Sequence, residues 1–98
     1  MIDRQMVNQS TKDWRKNLFA ALKYAECGHF KEAKELIQIN LDNNQNVSLN
    51  MRVLGELYML EKNKQQLLAI IDTMVKEDRV RGQDVLYFLG KVPEIKKI

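Results

Sequence analysis

Apolar side chains recur every three or four residues along most of the chain, and polar breaks interrupt them at regular intervals. Trp14, Leu18, Ala21, Leu22 and Ala25 form the first stripe, the spacing that puts residues on one face of an α-helix. Ser10 with Asp13 three residues on resembles a capping box, Asp standing where Glu or Gln is usual, and predicts a start near Thr11. The stretch YAECGHFKEA at residues 24–33 ends this helix at Gly28, the residue type best suited to the left-handed turn that closes helices. Phe30, Ala33, Ile37 and Leu41 then carry a second helix over residues 30–41, with Leu36 widening its apolar edge. So short a connection makes the pair an antiparallel hairpin.

The polar run DNNQN at residues 42–46 is a loop, because its short side chains compete with helical backbone bonds. Asn46 or Ser48 caps a third helix marked by Leu49, Val53, Leu57 and Leu60. Gly55 lies inside it, which costs up to about 1 kcal/mol against Ala and calls for a close helix contact as compensation. After a turn at residues 61–64, a fourth helix over 65–77 faces Leu67, Ile70, Ile71, Met74 and Val75 inward, with Leu68 as a further apolar position. Asp84 caps a short fifth helix containing Val85-Leu86-Tyr87-Phe88-Leu89, since a lone strand among helices has nothing to pair with. Gly90 and Pro93 stop it, and the charged tail is mobile. Residues 1–10, with Ile2, Met6 and Val7, are either a loose amphipathic turn or a frayed end.

Ninety-eight residues suit one small domain spanning 1–98, with an N-terminal segment at 1–10 and a tail at 92–98. A net charge of +3 favours approach to an acidic partner without resembling a nucleic-acid tail. Cys27 is the only cysteine, so an internal disulfide and a cysteine-based zinc site are excluded, and a cytoplasmic setting is expected. MIDRQMVNQS lacks the apolar core of a signal peptide, and no apolar run approaches spanning length, so membrane insertion is not expected. His29 is read as a turn residue and Cys27 as a small packing residue. Glu32/Glu35 and Asp72/Glu77 read as solvated pairs. No metal or catalytic constellation and no cofactor loop is visible, so an enzyme is not expected.

The hairpin occurs twice. Ala20-Ala21, Leu54-Gly55 and Leu89-Gly90 recur at about the 34-residue period of tetratricopeptide repeats, and Tyr24 and Tyr58 follow them. The chain resembles that family over nearly all its length beyond Ser10, as two and a half copies. Ala20, Tyr24, Gly28, Phe30, Ala33 and Ile37 match its small, aromatic, Gly, aromatic, Ala and large apolar positions. The second copy keeps Leu54, Gly55, Tyr58 and Ile71, but Lys62 stands for the turn Gly and Leu67 for the Ala. Asn17 stands where the family has Trp, and neither copy ends in Pro. The resemblance implies an all-α fold of two antiparallel hairpins plus a fifth helix, stacked right-handedly. In size, repeat number and charge the chain is also similar to the small chaperones that hold type III secretion needle subunits.

The resemblance further implies a concave face made by the first helix of each copy. Residue by residue this gives Arg15, Leu18, Leu22, Ala25 and Glu26, then Leu49, Arg52, Glu56, Met59 and Leu60, with Tyr87 added by the fifth helix. Such a face suits a partner's amphipathic helix, with Met59 adapting to irregular shapes. The alternative is that Leu18, Leu22 and Leu60 merely complete the core. Fewer than about three copies leave a flank open near Leu86, Tyr87 and Phe88 or along the groove, to be covered by a partner in a small heterocomplex or by a second copy of the chain. A nucleic-acid reading rests on Arg79, Arg81, Lys91, Lys96 and Lys97 near the C-terminus.

Overall fold

The computed structural model describes residues 13–95. In chain order these form α1 (Trp14–Glu26), α2 (Phe30–Asp42), α3 (Val47–Leu60), α4 (Lys64–Lys76), α5 (Gly82–Lys91) and a 3-10 turn at Val92–Glu94. Each helix packs on its sequence neighbour, and α3 also touches α5. The result is an all-α stack whose Cα atoms span 39 × 33 × 15 Å. Its short dimension is two helices deep, given axes about 8–10 Å apart.

Side-chain acceptors decide where the helices begin. The Asp13 carboxylate accepts from the Arg15 and Lys16 amides at 3.2 and 3.3 Å, so Asp13 is itself the cap and α1 starts at Trp14 rather than near Thr11. Ser10 and Thr11 lie outside the described residues. Asn46 caps α3, and Asn63 caps α4 through the Gln66 amide at 3.1 Å. Asp84, expected as the cap of the fifth helix, instead lies buried in its first turn, with Arg81 at the cap position. Gly90 does not stop this helix, which runs to Lys91 before Pro93 enters the 3-10 turn. Of the tail expected to be mobile, Ile95 is buried in the core, and residues 96–98 lie outside the described residues.

The two hairpins close with the same bonds about 34 residues apart. The Gly28 and His29 amides donate to Ala25 and Tyr24 carbonyls at 2.9 and 2.8 Å; the Lys62 and Asn63 amides donate to Met59 and Tyr58 at 3.0 and 2.9 Å. Gly28 has φ +82° and Lys62 φ +57°, so Lys62 takes the left-handed turn that glycine takes in the first copy.

Two apolar clusters form the core. Ala21, Ala33, Leu36, Ile37, Leu54 and Leu57 make the first. Val47, Met51, Leu67, Ile71, Met74, Phe88 and Ile95 make the second. Leu41, Tyr58 and Ile70 pack against both. Gly55 is buried against Phe88, whose ring approaches where a β-carbon would lie, which is the close contact its position called for. Phe88 is therefore fully buried rather than part of an open flank. Burial also aligns Phe88, and not Leu89, with Leu54, because Leu89 and Gly90 are exposed. Val75 is exposed too, so α4 turns inward through Leu67, Ile71 and Met74, with Ile70 half-buried.

Polar residues cross the core where the apolar stripe alone does not forecast them. Asn17 of α1 donates to Asn40 of α2 at 3.1 Å. Asn40 donates to Asn50 Oδ1 of α3 at 2.9 Å and to the Trp14 carbonyl at 3.1 Å. Asn50 in turn donates to the Gln45 and Asn46 carbonyls, closing the loop before α3. All three are at most 1% exposed, and Asn17 Oδ1 has no partner among the described residues. A buried ladder of this kind stabilises only the alignment in which each amide meets its partner.

Candidate protein-docking face

On α1, the capped start at Asp13 sets which side chains face outward. Arg15, Leu22 and Glu26 are exposed, Leu22 at 49%, while Leu18 and Ala25 are half-buried against the first cluster. Phe19, one turn from both Arg15 and Leu22, is 62% exposed. It belongs to the same outward surface although the apolar stripe did not include it. The Arg15 guanidinium lies 4.8 Å over the Trp14 ring, a cation–π contact that holds it beside the helix start.

Three of the expected residues meet between α3 and α5. Arg52 lies 3.2 Å from Asp84 and stacks over the Tyr87 ring at 5.7 Å; Lys91 covers that ring at 5.5 Å. Burial and a hydrogen bond from its hydroxyl to the Glu56 carboxylate push the Tyr87 phenol above its ordinary pKa. Its ring also meets Phe88 edge-on at 5.1 Å. Arg52, Glu56 and Tyr87 thus form one connected rim, carried by the contact of Gly55 with Phe88 beneath it.

The remaining positions divide by location. Leu49 is exposed and lines a cleft of about 400 Å³ at the start of α3, shared with Arg52. Met59, at the other end, lines a pocket of about 280 Å³ with Lys62, Lys91, Glu94 and Ile95, and packs on the second cluster. Leu60 is 63% exposed. Leu22 and Leu60 therefore do not complete the core of the described residues, whereas Leu18 does so in part. Arg15 and Leu22 are carried by α1, and Arg52, Glu56 and Tyr87 by α3 and α5, while α1 and α3 share the first apolar cluster through Ala21, Leu54 and Leu57.

The other singled-out residues take local roles. The His29 amide closes the first turn, and its imidazole lies 3.9 Å from Glu32. Cys27 is exposed at the end of α1 rather than packed. Glu32 is half-buried, and its neighbour Lys34 pairs with Glu61 at 2.7 Å and covers the Tyr58 ring, so this face of α2 is not simply solvated. Asp72 pairs with Lys76 on the surface, and Glu77 holds Arg79 at 2.8 Å. Among the described residues no His, Cys, Asp and Glu cluster could hold a metal ion, and no helix is long and apolar enough to cross a membrane. Lys91 pairs with Glu94 at 3.6 Å, apart from Arg79 and Arg81, which line the cleft with Arg52. Lys96 and Lys97 lie outside the described residues. No family model, curated protein or solved structure matches this chain.

Proposed function

We propose that the protein is a non-enzymatic adaptor or chaperone that sequesters an apolar helix of a partner protein, acting in the cytoplasm. The observation that carries this reading is the exposure of Leu22, Leu49 and Leu60 at positions where the tetratricopeptide resemblance puts a partner, beside charged Arg15, Arg52 and Glu56. Leucines held out in water gain free energy when a partner covers them, at about 25 cal/mol per Å², and rim charges orient the incoming helix. A polymerising subunit such as a secretion needle protein is the client class this suits, because its helices aggregate when left bare.

The test is capture of candidate helical clients by the wild type and by Leu22→Asp and Leu60→Asp. Both substitutions fall on exposed side chains, so helicity and melting should be retained while binding is lost. Binding that survives both substitutions sinks the assignment. Nucleic-acid binding is the weaker alternative, since its basic residues are divided: Arg79 and Arg81 line one cleft while Lys91 pairs with Glu94 in another pocket.

A further inference from the structure

Three arginines line the cleft between the starts of α3 and α5. Arg52, Arg79 and Arg81 share it with Asn46, Ser48 and Asp84 around a volume of about 400 Å³. Like charges brought together this way repel unless something negative offsets them. Two are offset within the protein. Arg52 lies on the nearly buried Asp84 at 3.2 Å, and Arg79 makes a two-pronged contact to Glu77 at 2.8 and 3.1 Å. The Arg81 side chain has no hydrogen bond or ion pair among the described residues, so the cleft carries one guanidinium in excess.

We propose that this cleft binds a phosphoryl group, free or carried on a small molecule, with Arg81 as its main ligand and Arg52 and Arg79 beside it. Guanidinium forks match phosphate oxygens in pairs, and convergence of several forks favours a group with three or four oxygens over a planar carboxylate. The volume falls in the range of small-ligand sites, roughly 300–1,000 Å³, well beyond what one carboxylate fills. Asp84 and Glu77 set the charge requirement. A ligand must outcompete them for Arg52 and Arg79, which a dianion does and acetate does not. The Asp84 amide already donates to the Arg81 carbonyl at 3.0 Å, so the donors the cleft offers are its three guanidinium groups.

The experiment is a titration of the isotope-labelled full chain, read by amide shifts at constant ionic strength. Inorganic phosphate and phosphoserine are added separately, with acetate as control. Saturable shifts centred on Ser48, Leu49, Arg52, Arg79, Arg81 and Asp84 are expected, with Arg81→Gln weakening affinity roughly tenfold or more. Phosphoserine should bind more tightly at about pH 7.5 than at about pH 5, because its second ionisation lies near 6. Saturation by inorganic phosphate alone assigns a free ion; saturation by phosphoserine alone assigns a carried group. Absence of saturable shifts, equal shifts with acetate, or undiminished binding by Arg81→Gln overturns the proposal. So does a random duplex that occupies the same amides more tightly than either probe, since that assigns the cleft to nucleic acid. The exposed Leu22 and Leu60 take no part here, so their substitutions leave the titration unchanged whatever becomes of the docking face.

Discussion

The Phe88 ring fills the space a side chain on Gly55 would need, its Cζ lying 2.7 Å from where a β-carbon would be. Gly55→Ala gains about 1 kcal/mol of helix propensity, but the added methyl must push aside a fully buried ring, at a cost of about 1–3 kcal/mol. The expected outcome is net destabilisation in urea unfolding. Combining Gly55→Ala with Phe88→Leu should recover part of that loss, giving a favourable coupling energy in the double-mutant cycle.

The asparagine ladder predicts unequal costs for chemically identical truncations. Among the described residues Asn40 makes three side-chain hydrogen bonds, two donated and one accepted, whereas Asn17 makes one and leaves its oxygen without a partner. At about 1 kcal/mol per bond, plus the penalty for stranded partners, Asn40→Ala should destabilise by roughly 3 kcal/mol or more. Asn17→Ala should cost clearly less. Equal unfolding midpoints for the two variants would contradict the ladder.

Lys62 sits at φ +57°, where a non-glycine residue is strained by about 1–2 kcal/mol. Lys62→Gly should therefore raise the melting temperature, and Gly28→Ala should lower it. The pair checks that both turns use one geometry.

Burial first, and then the Glu56 hydrogen bond, raise the Tyr87 phenol above its ordinary pKa. The native state thus favours the protonated ring, and this contribution is present below the unfolded pKa and lost as pH rises through the higher folded value. Glu56→Gln should bring the phenol down without restoring it fully, because burial remains. Titration of the tyrosine ring carbons by NMR reads this directly.

Helix positions were legible because Ala33, Ile37, Leu67 and Ile71 repeat at helical spacing and are all buried. What escaped was polar. Asn17, Asn40 and Asn50 fall outside the apolar pattern, and a sequence does not reveal which amides will find one another. Asp84 read as a cap for the same reason, its partner Arg52 lying a whole hairpin away in the chain. Arg52, Glu56 and Tyr87 were named by the tetratricopeptide resemblance, and the fold brings them together. The arginine cleft was not so named, because Arg79 and Arg81 flank a connection with no periodicity and come near Arg52 only in three dimensions.

Leu41, Tyr58 and Ile70 each lean on both apolar clusters, and α3 supplies buried residues to the two alike. That helix acts as a keystone: either outer end can fray while it stands, but its loss releases everything at once. Amides near the middle of α3 should therefore exchange with solvent last, and at a rate set by global opening.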